Sequence, residues 1–284
     1  GNPLYTADGT DHYVQNTGHG DFFQDKSGQW WVVMLGVRMD QGRAIMGRES
    51  FLAAVQWPDN EWPSIGPVLA QRDLPYLSGQ SGASSSTLSS IDLTAWVYLR
   101  DPILEDYVIE STQVTMRARP AGLNSAEDIV SFLGQRPRRL CGTATVTLHL
   151  PEASQAEGSA LSHAGLAFYK DEHRFLTVAY DFDANQAVFQ GLNAAKSYNV
   201  RRNKEIKLQE SIQCQIKYTE RSLGFFVRDS EDQWECMEEV DTLVMTGVDF
   251  TGPVIGIFAI GDGGKVRFTD FEIDGAGNSR AEGS

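Results

Sequence analysis

Along most of the chain, apolar and polar residues alternate with the two-residue period of β-strands, and the 3.6-residue period of helices is nearly absent. Trp30-Trp31-Val32-Val33-Met34-Leu35 opens the first long β-prone run, and Phe51-Leu52-Ala53-Ala54-Val55-Gln56-Trp57 forms the next. Turn formers punctuate them: Asp25-Lys26-Ser27-Gly28 before, residues 39–43 between, Pro58-Asp59-Asn60 after. Glu61-Trp62-Pro63-Ser64-Ile65 closes this unit, and residues 1–16 read as an irregular lead-in. Residues 66–90 lack periodicity and end in Ser-Gly-Gln-Ser-Gly-Ala-Ser-Ser-Ser, which predicts an exposed connector. From Trp96 the β pattern returns, with runs at 108–118, 144–150, 165–169, 175–181, 187–190, 211–218, 222–227, 254–259 and 266–273. An insertion at 152–163 divides two of these runs, and residues 125–133 predict a helical turn or two. Many short strands with turn-rich breaks predict an all-β protein: one four-stranded unit followed by a β-sandwich or jelly roll. The boundaries expected are 1–72 for the first unit, 73–92 for the linker, 93–275 for the sandwich and 276–284 for a disordered tail.

Composition narrows the class without changing the fold. With 41% hydrophobic and 22% charged residues, the chain reads as an ordinary soluble globular protein. No apolar run approaches the roughly 20 residues of a membrane-spanning helix, so no membrane partner is expected. A formal charge of −14 argues against nucleic acid, which needs a basic footprint, and suits a neutral or cationic partner. Cys141, Cys214 and Cys236 allow at most one disulfide and have no zinc-ligand spacing. Gly1-Asn2-Pro3 begins abruptly, without an initiator Met or signal-like segment, and suggests a processed or truncated product.

The densest chemistry lies at Thr17-Gly18-His19-Gly20-Asp21, where glycines on both sides of a histidine would present the imidazole from the entrance to a strand. The plainer reading is a glycine-rich turn with a hydrogen-bonded histidine. Asp21 and Asp25 lie four apart, but turn aspartates usually cap their own backbone, so neither is assigned a catalytic role. The acidic run from Glu231 to Glu239 lacks the order of a calcium loop and predicts a solvated hairpin. Arg136, Arg138 and Arg139 predict a solvated strand end.

Four pieces in order resemble glycoside hydrolase family 43, the β-xylosidases and α-L-arabinofuranosidases: Gly18-His19-Gly20-Asp21, residues 24–38, residues 47–57 and residues 61–66. Together they resemble the last blade of that family's five-bladed propeller, and Asn2-Pro3-Leu4 is similar to the segment preceding it. Phe132-Leu133-Gly134-Gln135-Arg136, Ala164-Gly165-Leu166 and Asp249-Phe250-Thr251-Gly252 resemble the concanavalin-A-like sandwich that follows the propeller in many family-43 β-xylosidases.

The resemblance implies inverting glycoside hydrolysis, with one carboxyl group as acid and another as base for water on the opposite face. The family's Asp, Asp and Glu lie upstream of the segment matched here, so no catalytic residue is carried over. Three substrate-binding residues are. His19 is similar to a histidine near the propeller axis, beneath the sugar, that contacts a central water or metal ion. Arg48 is similar to an arginine beside the acid; its plainer reading is a rim salt bridge with Glu49 or Asp21. Phe250 falls where a sandwich loop inserts a phenylalanine over the pocket; its alternative is a core aromatic opening the strand at 254.

The metal is left unknown, with Ca2+ at the propeller centre or in the sandwich as the cofactor to look for. The partners implied are plant-type glycans and a companion N-terminal propeller chain or self-association, because a lone blade has two apolar faces to cover. An extracellular location is expected, with an intracellular one left open. The first functional reading is the C-terminal part of a family-43-like glycosidase acting on xylose- or arabinose-containing glycans. Its alternative is a carbohydrate-binding, lectin-like protein without catalytic activity.

Overall fold

The computed structural model describes residues 4–71, 86–87, 96–150, 160–206, 210–229, 233–247 and 249–275. Apart from residues 86–87, the expected linker at 73–92 lies outside them, as do the tail at 276–284 and most of the 152–163 insertion. The chain divides into two compact units: Gly1–Ala83 with Thr246–Gly252, and Ser84–Met245 with Pro253–Ser284.

In the first unit, β1 (Val14–Gln24), β2 (Trp30–Arg38), β3 (Glu49–Gln56) and β4 (Ser64–Ile65) form an antiparallel sheet in chain order. Side chains alternate across a strand, so each apolar run feeds both faces. Val32, Met34, Phe51, Ala53 and Val55 share one face, where they form a buried core with Val14 and Val68. Phe23, Trp31, Val33, Leu35 and Leu52 fall on the other, as the pairs Phe23↔Trp31 and Val33↔Leu52 fix. The β1–β2 turn is held by Asp25, as turn chemistry predicts. Its Oδ1 accepts from the Ser27 N–H at 2.8 Å, the Ser27 hydroxyl at 2.6 Å and the Gln29 N–H at 3.1 Å, while Oδ2 accepts from Trp31 Nε1 at 2.8 Å. The Ser27 hydroxyl foremost, then the Trp31 N–H, hold this carboxyl down at about 2.

The Gly-His-Gly-Asp stretch departs from expectation. It lies inside the 11-residue strand β1, not at its entrance, and two register breaks flank it, between Gln15 and Gly18 and between Gly18 and Asp21. The left-handed backbone belongs to His19 itself (φ +51°) and to Asn16 (φ +52°), not to the glycines. Gly18 has open space where a Cβ would go, whereas a Cβ on Gly20 would stand 3.0 Å from Val32 Cγ2. Gly20 therefore serves close approach of the backbone to β2, and the breaks are β-bulges that re-aim side chains.

The second unit is a sandwich. Its strands are β5 (Ser86–Thr87), β6 (Val97–Tyr98), β7 (Tyr107–Ile109), β8 (Gln113–Arg117), β9 (Ser131–Gln135), β10 (Gly142–His149), β11 (Ala160–Asp171), β12 (Arg174–Asp181), β13 (Gln186–Asn193), β14 (Tyr198–Glu205), β15 (Ser211–Tyr218), β16 (Ser222–Arg228), β17 (Glu235–Asp241), β18 (Val254–Asp262) and β19 (Lys265–Gly275). One sheet runs β17-β16-β15-β10-β19-β8-β7 with β5 beside β19; the other runs β14-β13-β12-β11-β18-β9-β6. Their inner faces meet through buried residues such as Val146, Cys214 and Ile216 on the first and Leu166, Leu176 and Val178 on the second. Phe189 and Phe225, one from each sheet, stack with centroids 5.0 Å apart.

Burial pushes the Cys214 thiol up to about 12, so it behaves as a small hydrophobe, and all three cysteines are free. A second core covers the outer face of the β12-containing sheet, where Leu123 and Val130 pack on Phe132, Tyr169, Phe175 and Phe258.

The helical turn expected at 125–133 does not form. Residues 131–135 are strand β9, buried throughout between β18 and β6, and a strand covered on both faces shows no alternation to read.

Candidate functional site

Arg48 lies immediately before β3, and its surroundings decide its role. Its sequence neighbour Glu49 is already engaged: Arg38 Nε donates to Glu49 Oε1 at 2.8 Å and Arg38 Nη2 to Oε2 at 2.6 Å, a bidentate pair. The rim salt bridge to Glu49 is thereby ruled out for Arg48, which forms no ion pair with Asp21 or any other described residue. Its guanidinium carbon instead stands 5.3 Å from the centroid of the Phe250 ring, in cation–π range. Phe250 is 75% exposed, which excludes a core aromatic at the start of β18.

The two side chains line a cavity of about 700 Å3 within the first unit, together with Asn16, Met39, Thr246 and Asp249. Segment 246–252 is held there by backbone complementarity. The Ala44 N–H donates to Thr246 Oγ1 at 3.3 Å. Gly47, at φ +68°, passes so close that a Cβ would fall 2.5 Å from the Thr251 carbonyl oxygen, and a Cβ on Gly252 would fall 2.7 Å from that of Met46. Both the lack of space and the positive φ exclude a side chain at Gly47. Gly47→Ala is expected to destabilise the protein by about 1–3 kcal/mol. A lower denaturation midpoint with an unchanged slope checks this, and an unchanged midpoint would show that the two segments separate freely.

The structure thus brings Arg48 and Phe250 together and leaves His19 apart. His19 is exposed at its bulge and is not among the cavity's lining residues. Among the described residues no group of three or more His, Cys, Asp and Glu side chains could hold a metal. Asn16, Met39 and Thr246 were missed by sequence reading. Only Asn16 carried a usable signal, since asparagine tolerates the left-handed region and sits three residues before His19.

A family described as "Glycosyl hydrolases family 43" matches residues 1–63, and one described as "Beta xylosidase C-terminal Concanavalin A-like domain" matches residues 91–274. The chain belongs to glycoside hydrolase family 43. A non-reducing end α-L-arabinofuranosidase of Bacteroides ovatus is 26% identical over 268 residues, covering 89% of this chain and 49% of its own length. A xylosidase/arabinosidase of Butyrivibrio fibrisolvens is 44% identical over 68 residues, or 23% of this chain and 13% of its own length.

The solved structure of a xylan β-1,4-xylosidase from Bacillus halodurans C-125 superposes with a TM-score of 0.76 at 18% identity, over 96% of this chain and 56% of that one. The family-43 chain described here spans about half the length of the Bacteroides relative. Its all-β architecture, a four-stranded sheet and a two-sheet sandwich, agrees with the sequence expectation.

Proposed function

We propose that this chain supplies one wall of the sugar pocket in a glycosidase acting on arabinose- or xylose-containing glycans, with Arg48 and Phe250 contacting the sugar. The proton-transferring carboxyl groups come from sequence outside this chain. The observation that carries the reading is the release of Arg48 from Glu49 into a cavity faced by an exposed phenylalanine ring. The guanidinium offers a planar set of donors to sugar hydroxyls and to a neighbouring carboxylate. The ring gives the apolar face of a sugar a surface and limits the space for longer substrates. Asn16 and Asp249 add polar groups to the same wall.

In the complete protein carrying this chain, Arg48→Ala is expected to lower kcat/KM on an aryl pentoside. A hydrogen bond to a charged group contributes about 1.5–3 kcal/mol, or roughly ten- to a hundredfold in rate. Arg48→Lys should not rescue, because a point charge cannot replace a planar fork that meets a hydroxyl and a carboxylate together. Full activity in Arg48→Ala would remove Arg48 from the pocket.

A further inference from the structure

On the outer face of the sandwich, separate from the Arg48 cavity, lies a second cavity of about 100 Å3. One water-sized sphere occupies roughly 10–15 Å3, so the volume suits a single sugar-sized ring and nothing longer. Its floor is apolar, with Phe175 and Phe258 from the outer core, and its rim is polar, with His163, Thr177, Gln190 and Asn124. The register explains the grouping. Thr177 of β12 faces Gln190 of β13, and His163 of β11 faces Asp181 of β12, so both pairs lie on adjoining strands of the same sheet.

The rim is organised: Arg201 balances Asp181, and Asp183 adds one negative charge. Arg201 Nη2 donates to Asp181 Oδ2 at 2.7 Å and lies 3.5 Å from His163 Nε2. Ser162 Oγ donates to Asp183 Oδ2 at 2.9 Å and stands 2.9 Å from His163 Nδ1, while Asp181 Oδ2 stands 3.3 Å from His163 Nε2. Burial, first of all, pushes His163 below the usual histidine range. The Gln190 and Asn124 side-chain amides, each with two donors and an acceptor, have no partner in the described protein.

We propose that this cavity binds one neutral, polyhydroxylated ring, a monosaccharide unit of a glycan, through Gln190 and Asn124, with Phe175 and Phe258 beneath it and His163 at its edge. A rim with one carboxylate in excess disfavours an anion, and Asp183 is already engaged by the Ser162 hydroxyl. Unpaired amides reward a ligand that both donates and accepts hydrogen bonds, and apolar rings reward one with a C–H face. This site is independent of the Arg48 wall; only the choice of pentosides as probes rests on the proposed function.

The test is titration of the whole chain, followed by NMR, with methyl β-D-xylopyranoside, methyl α-L-arabinofuranoside and methyl α-D-glucopyranoside. At least one is expected to shift the His163 ring signals saturably. Gln190→Leu, which preserves volume and strand, should weaken that binding at least tenfold, while Arg48→Ala should leave it unchanged. Binding of the glucoside alone would uphold this cavity as a hexose site and leave the reading of the Arg48 pocket untouched. Failure of all three sugars to shift His163, or shifts unaffected by Gln190→Leu, would overturn the inference.

Discussion

Purified to homogeneity, the 284-residue chain is expected to release no chromophore from aryl β-xylopyranosides or aryl α-L-arabinofuranosides above the uncatalysed blank. Inversion at an anomeric carbon needs a protonated carboxyl on the leaving oxygen and a carboxylate on the attacking water, on opposite faces of the ring. Each contributes on the order of 10²–10⁴-fold. Among the described residues, the cavity of the first unit does not present such a pair. Glu49 is tied to Arg38 through both oxygens, and Asp25 is spent on its own turn and the Trp31 N–H. Asp249 is the one carboxylate among the cavity's lining residues, and one carboxylate cannot flank a bond from both sides. Asp249→Asn is the control. Turnover that survives it would reveal another catalytic site, and turnover abolished by it would make Asp249 a catalyst. Either result contradicts the assignment.

Strands that bury one face were legible. Residues 211–218 were read as a strand from alternation and form β15 at those limits. The doubly buried β9 and the charged edge strand β14 were not, although the apolar run at 175–181 did locate the equally buried β12. In β9 all five residues are buried, and Gly134 runs so near Gly256 that a Cβ on the latter would stand 2.6 Å from the Gly134 Cα, so no alternation survives.

The strand β14 (Tyr198–Glu205) is an edge carrying charges along its length, which looks like a loop until its partners are known. Those partners lie on β17, where Glu238 pairs with Arg202 at 2.8 Å and Glu235 with Lys204 at 2.6 Å. Part of the expected acidic hairpin is thus an ion-paired strand.

At the site, motifs named Arg48 and Phe250 but could not show them in contact, because the contact depends on segment 246–252 joining the first unit. Nor did the glycines flanking His19 reveal that the histidine itself takes the left-handed backbone.

The first unit is expected to associate through the face that carries Phe23 and Val33. Its opposite face is closed by its own core, with Val14 and Val68 completing it. On the associating face, Phe23 is 42% and Val33 41% exposed, and Leu35 and Leu52 are half-buried beside them on adjoining strands. At about 25 cal/mol per Å2, covering such a face contributes on the order of several kcal/mol. In a propeller a neighbouring blade provides the cover, and here a companion polypeptide or the same face of a second copy is expected to take that place.

Sedimentation of the purified chain over a wide concentration range tests this directly. The account predicts a mass above 31.4 kDa that rises with concentration, or a co-purifying polypeptide that holds the mass constant. A single 31.4 kDa species at the highest concentration, with no companion, would mean that the sheet keeps its second face in water and is not a propeller blade awaiting its neighbour.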